Sequence, residues 1–286
     1  MAVLALALPT TSPAFAQTGD PSSQARIRIG PLALSPSISL TNAGVDNNVF
    51  NVSKDAAPKR DFTLTVTPRT DVWLHLGRSL VTGNVTEDLV YYNKYASERT
   101  ANNAYKVGLI APLTRFAFTG GVSYQSARDR PGFEIDARSQ HSDVTYDAGV
   151  EFRLLSKTYV GIKARRQSVG FDKAEVFLGS SLHDELTRKV TSESLTLRHA
   201  LTPLTSLTLE VGEEQDRFDF SHLRDSDSKQ IAVGVKFDPF ALLKGSATFG
   251  YRDFEPLSPG AHTIHFKGVR HSGSGTEVTY NLTVTE

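Results

Sequence analysis

The chain has 286 residues with 31 Lys and Arg against 31 Asp and Glu, no cysteine, and a mean hydropathy of -0.25. Balanced charge gives no net field to draw in nucleic acid, and the missing thiols remove disulfides, thiolate metal sites and cysteine nucleophiles. No stretch after the N-terminus approaches the ~18 consecutive apolar residues of a spanning helix, so membrane residence would have to rest on strands.

In chain order, Met1 to Leu8 is almost wholly apolar, Pro9 interrupts it, and Ala14, Phe15 and Ala16 form an A-x-A cleavage site before Gln17. Residues 1–16 therefore read as a secretory signal peptide, cut short at its N-terminus because no Lys or Arg precedes the apolar stretch. Residues 17–30, polar at first with Gly19 and Pro21, are expected to be a flexible leader, and 31–286 the folded domain. The first strand candidate is Leu32 to Leu40. Asn42 to Arg60 is a loop by composition, inside which Val49 to Val52 is suited to pack back onto the mouth of the fold.

From there apolar and polar residues alternate with the period of two that a sheet with two different faces requires. Phe62, Leu64 and Val66 interleave with threonines; Tyr146, Ala148, Val150 and Phe152 interleave with Asp147, Gly149, Glu151 and Arg153. Tight turns are expected near Gly77 to Ser79, Pro112 to Arg115, Ser156 to Thr158, Thr202 to Thr205 and Asp238 to Leu243. Longer loops are expected at Ala96 to Asn103, Asp129 to Arg138, Asp172 to Glu185 and Ser221 to Ser228. Short turns on one end and long loops on the other are the pattern of strands crossing an outer membrane. The strand candidates Ser139 to Leu154, Thr158 to Phe171, Arg188 to Leu201 and Leu207 to Phe220 exceed the ~9 to 11 residues a tilted membrane strand needs. The reading is an all-β, antiparallel transmembrane β-barrel of about 12 to 14 strands. A soluble secreted β-sandwich is the weakest alternative, because its strands usually run ~5 to 6 residues.

The pieces PLTRFAFTGGVSY, LLSKTYVGIKARR, TPLTSLTLEVGEE and DPFALLKGSATFGY each set a small turn before an alternating strand, as a repeating hairpin does. The segments DFTLTVTPRTDVWLHLGR, EDLVYYNKYASERT, ARDRPGFEIDAR, AEVFLGSSLHDELTR, ALTPLTSLTLEVGEEQDRFDF with RDSDS, and FDPFALLKGSATFGYRDFEPL carry a resemblance that spans Asn48 to Pro256. In them the chain resembles the outer-membrane β-barrel proteins classed as putative β-barrel porins, some of which are associated with exopolysaccharide or capsule systems. The resemblance implies a signal-bearing barrel in the outer membrane of a Gram-negative type cell. Its partners would be outer-membrane lipid and lipopolysaccharide, the assembly machinery and polysaccharide export components; it brings no catalytic residue or cofactor. Barrels of this type usually finish on a terminal aromatic, whereas this chain ends Val284, Thr285, Glu286, so its last strand is expected to be incomplete.

Eight charged residues on the polar face of strand candidates are the expected pore lining: Glu151, Arg153, Lys163, Arg165, Arg198, Glu210, Lys236 and Arg252. The alternative for the same residues is a lumen filled by mutual ion pairs. Arg128, Arg130 and Phe133 form a loop able to clamp and stack on a saccharide, or else a surface loop held by its own Arg to Asp pairs. Arg217, Asp219, Arg224, Asp225 and Asp227 allow the same two readings. Glu213, Glu214 and Asp216 are acidic neighbours, but consecutive strand positions point to opposite faces, so no metal site is assigned. His141, Ser142 and Asp143, and Ser221 with His222, are hydrolase residue types without triad spacing, so the chain is read as a non-enzyme with no catalytic residues. Trp73 suits either the interface belt or the lumen near the tight turns. The function expected is a pore or export conduit for polysaccharide or small solutes. The alternative is a plugged structural or adhesion barrel whose loops bind a surface ligand.

Overall fold

Successive side chains of a strand point to opposite faces, so alternating polarity builds a sheet whose two sides meet different media. The structure, a computed structural model, describes residues 20–52, 57–130, 138–237, 245–254, 260–269 and 275–284. Its strands are β1 (Ile27–Ile29), β2 (Leu32–Asp46), β3 (Asp61–Leu76), β4 (Ser79–Tyr92), β5 (Thr100–Pro112), β6 (Phe116–Asp129), β7 (Ser139–Arg153) and β8 (Thr158–Phe171). After the short pair β9 (Val176–Phe177) and β10 (Ser180–Ser181) and the single helical turn α1 (Leu182–Leu186) come β11 (Arg188–Thr202), β12 (Thr205–Phe218), β13 (Ser226–Phe237) and β14 (Gly245–Phe254). β15 (Gly260–Val269) and β16 (Gly275–Val284) complete the order.

Twelve strands form one antiparallel sheet in the order β1-β2-β3-β4-β5-β6-β7-β8-β11-β12-β13-β14, while β15 and β16 pair with each other. The all-β, antiparallel expectation of 12 to 14 strands is what the chain shows. Among the described residues no helix is long and apolar enough to cross a membrane, a statement that does not bear on strands.

Register decides which residues share a face. Phe116 pairs with Phe152, Phe118 with Val150, Val122 with Tyr146, and Tyr105 with Tyr124, all on the apolar face. Phe116 and Phe152 pack 4.9 Å apart near the tight turns, while Tyr105 and Tyr124 stack at 6.1 Å toward the loop end. Eight residues separate Phe152 from Val144, the partner of Tyr124, on β7, or about 26 Å of strand, which at a tilt of ~40° rises roughly 20 Å and falls within the ~25 Å apolar band of a barrel. Amphipathic tyrosines at one border and phenylalanines at the other are suited to the edges of a hydrocarbon layer. The strands continue beyond this band. Residues 100–103 and 226–228, expected in loops, belong to β5 and β13, because a polar strand outside the lipid keeps its ladder bonds as readily as an apolar one.

At the tight-turn end β3 and β4 are joined by Gly77 and Arg78 alone, and Gly77 takes a φ of 62° that suits glycine at the first central position of a hairpin turn. Pro203 and Leu204 join β11 to β12 as compactly. The expected turn at Asp238 to Leu243 lies outside the described residues, as does the signal peptide. In the expected leader, the described part is folded: Asp20 accepts from the Ser22 backbone N–H at 2.9 Å and its hydroxyl at 2.8 Å, Pro21–Gln24 forms a 3-10 turn, and β1 pairs with Leu32 to Leu34. Local capping, with Arg28 donating to the Ser22 carbonyl at 2.7 Å, orders a stretch whose composition reads as mobile.

At the other end the loops are fastened down. Val49 is 1% exposed, its N–H donating to the Lys59 carbonyl, and Phe50 meets Tyr95 edge-on. Asp61 accepts from the backbone N–H groups of Phe62, Lys94 and Tyr95. Leu182 of α1 is buried with Val169 and Phe171, against which Phe177 and Leu186 also pack.

Candidate functional site

The polar face is the site, and its side chains are set by the ladder itself. Arg153 stands opposite Tyr159, and Tyr159 opposite Arg198; Glu151 stands opposite Gly161, which faces Thr196, which faces Glu210. Lys163 lies between Gly149 and Ser194, Arg165 faces Asp147, Arg252 faces Gln230, and Lys236 faces Ser206 and Ser246. All eight charged residues expected on one face do share it.

The ladder also brings them into pairs. Arg198 donates to both carboxylate oxygens of Glu151, Nε to Oε2 at 3.0 Å and Nη2 to Oε1 at 2.6 Å, and lies over the Tyr159 ring at 4.0 Å. These two residues sit on β7 and β11, so the bond crosses over β8 where Gly161 leaves no side chain in the way. Lys163 on β8 reaches Glu210 on β12 at 3.9 Å, across β11. Arg252 on β14 donates to Glu214 on β12 at 3.0 Å and to Gln230 at 2.8 Å, and Ser192 donates to Glu214 from the other side. Such fork-shaped, charge-assisted bonds are both directional and stronger than neutral ones.

Asp147 and Lys106, each flanked by apolar residues, share this face as the alternation implies. Arg188 with Asp216 (3.5 Å) and Arg69, which pairs with Asp71 (2.9 Å), share its register too, but Arg188, Asp216 and Arg69 have no apolar alternation beside them to reveal it. Trp73 is placed by the same ladder: it pairs with Ala33 and Thr82 on the face of Asp71 and His75, so it lies on the polar face near the tight turns and not among the apolar side chains of the other face. A recess of about 320 Å³ opens on this face beside Asn84, Lys106, Ser123, Asp143 and Arg165.

The loop candidates are less assembled. Arg128 donates its backbone N–H to Asn102 at 2.9 Å while its Nε is buried without a partner; Arg130 is exposed and Phe133 lies outside the described residues. The second charged group is held by its own pairs: Arg217 with Asp227 at 2.6 Å, Arg224 with Glu185 at 3.4 Å, and the Asp225 carboxylate with the Phe218 N–H. Glu213 falls on the apolar face and Glu214 and Asp216 on the polar one, by the register of β12 with β13. Ser221 donates to the Asp184 carbonyl and His222 lies 3.6 Å from Asp225, so both serve loop bonds. In this loop the hydrogen bond with His183, 2.9 Å away, holds the Asp184 carboxyl below the usual carboxylate range.

A family model described as putative beta-barrel porin 2 matches residues 20–265. The chain belongs to that porin family. This porin resides in the outer membrane. Among solved structures, the porin is similar to the loop L8 deletion mutant of OmpT, an outer membrane protein of Vibrio cholerae, at 8% identity and a TM-score of 0.36. That likeness covers 78% of this chain and 99% of the other, and is too distant to transfer residue roles. No curated protein matches the porin.

Proposed function

We propose that this porin is an open conduit of the outer membrane, carrying polysaccharide or small solutes past a wall lined by Glu151, Arg153, Lys163, Arg165, Arg198, Glu210, Lys236 and Arg252. The observation that supports it is the direction of the ion pairs. The ion pairs of His141 with Asp129, Lys163 with Glu210, Arg188 with Asp216, Arg198 with Glu151, Arg217 with Asp227 and Arg252 with Glu214 all join neighbours or next neighbours in the sheet, so these side chains lie along the wall. Lateral pairing satisfies the charges while leaving the axis to water. Nothing in this lining calls for a bond-making step, and the reading is of a non-enzymatic channel.

A plugged barrel acting through its loops is the second reading, favoured by the firmness of the loop end, where Val49, Asp61 and Leu182 are all fixed. Single-channel recording of the refolded protein separates the two. Steady ohmic current supports the conduit; protein shown to be folded that passes no current would sink it.

A further inference from the structure

The chain is neutral as a whole, yet its two ends are not alike. At the loop end both signs are present and largely paired, as in Arg217 with Asp227, Lys189 with Asp219 and Arg224 with Glu185. At the tight-turn end, the turns 77–78, 113–115, 154–157 and 203–204 and the two residues flanking each contain Arg78, Arg115, Arg153 and Lys157 and no carboxylate. Lys236 lies at the same end, just before a stretch whose sequence carries Asp238 and Lys244, and the nearby carboxylate of Asp20 is held by His75 at 3.3 Å. Arg78, Arg115, Arg153, Lys157 and Lys236 are exposed, and among the described residues none of them has an ion pair. The next carboxylate inward, Glu151, is already taken by Arg198.

We infer that this end is a cationic collar that captures a carboxylate-bearing glycan chain and delivers it into the lumen from the periplasmic side. The inference rests on the conduit reading and on the rule that short turns are periplasmic. Two facts point to a polymer and to the lumen. Arg153 and Lys236 lie on the polar face, by register with Tyr159 and Ser206, and therefore face the conduit and not the lipid. They are also four strand spacings apart along the sheet, or about 19 Å, with Lys157 between them at the turn from β7 to β8. Charges spread over that distance engage successive carboxylates of one chain, whereas a single small anion meets one of them. Just inside, the hydroxyl groups of Ser194, Ser206 and Thr208 continue the same face, and these groups suit sugar hydroxyls.

Attraction of this kind acts over about 10 Å at 0.1 M salt and fades as salt rises. The test uses the full chain, folded in detergent for binding and in planar bilayers for current, with sodium oligoglucuronate as the probe and neutral dextran as the control. Because the chain has no cysteine, Leu223→Cys at a fully exposed loop position marks the loop side through a bulky thiol label. Oligoglucuronate should bind in a fluorescence anisotropy assay at low salt, dextran should not, and the triple variant Arg153→Gln, Lys157→Gln, Lys236→Gln should bind about tenfold more weakly or worse. In bilayers the probe should interrupt the current from the unlabelled side only.

Equal binding by the folded variant, or interruption from both sides alike, overturns the collar. So does a variant whose only defect is weaker association with phosphatidylglycerol vesicles, since the cations would then serve the inner lipid leaflet. Absence of current from folded protein that still binds the probe overturns the conduit and with it delivery into the lumen, whereas current without probe binding overturns the capture alone.

Discussion

Gly161 is the residue on which the wall is most sharply testable. A Cβ built there stands 2.6 Å from Thr196 Oγ1, about 0.8 Å inside the onset of ordinary contact, while the Val150 carbonyl at 3.5 Å and Glu151 Cβ at 3.9 Å are comfortably placed. Thr196 is buried and β-branched, so its hydroxyl has few rotamers to retreat to. Gly161→Ala should therefore destabilise the folded protein by about 1–3 kcal/mol, the usual cost of forcing one carbon into a packed site. In a Thr196→Ala background the obstructing atom is gone, and the same change should be neutral or stabilise by up to ~1 kcal/mol, because alanine suits a strand better than glycine. The two results together define a coupling of roughly 1–4 kcal/mol. Urea unfolding of the barrel in vesicles, followed by Trp73, the chain's single tryptophan, measures all four corners of this cycle. Equal costs in both backgrounds would refute the contact as the cause.

Glu151→Gln should cost roughly 1.5–3 kcal/mol by weakening charge-assisted bonds to an Arg198 side chain that is 11% exposed, and should shift the reversal potential in a salt gradient toward anions. An unchanged potential would mean that Arg198 finds another counter-charge. Leu182→Ala should loosen α1 from Val169 and Phe171 and raise protease cleavage within 172–187 without changing global stability by more than ~1 kcal/mol, since the loss is confined to a loop; unaltered cleavage would count against that cluster as the fastening. Asp20 is held below the usual carboxylate range, first by its hydrogen bond from the Ser22 hydroxyl. Its contribution is complete above the unfolded pKa and is lost as pH falls through the lower folded one. Amide exchange at Ser22 and Ala25 should accelerate in acid and not between pH 6 and 8, and acid-insensitive exchange would remove the cap from the explanation.

Faces were legible in the sequence wherever apolar residues marked one of them, as on β7 and β8, because one step of alternation assigns every later residue. Arg188 and Asp216 were not, since polar residues stand on both sides of them and only the ladder shows which share the polar face. Trp73 was ambiguous for a related reason: an amphipathic ring suits both candidate places, and only its pairing with Ala33 and Thr82 decides. The expected leader misled because ordering there comes from a cap and one Arg to carbonyl bond, contacts that composition does not record. The partners chosen by each wall charge depend on strands brought together from distant sequence, as Glu151 and Arg198 are, and no local pattern encodes that choice.

The bond from Glu151 to Arg198 over Gly161 also constrains how the wall can be assembled. If β8 were to slide by one residue against β7 and β11, every one of its side chains would change sides. Val160 or Ile162 would arrive beneath the fork in place of Gly161, and Lys163 would turn into the hydrocarbon. The misaligned sheet would lose the pair of Lys163 with Glu210, bury an isopropyl or sec-butyl group under the Glu151 and Arg198 charges and set an ammonium among apolar side chains. A strand whose middle is a glycine between two hydrophobes thus tells the correct alignment from its nearest errors, and the clamp on the polar face doubles as the check on how β8 was laid in.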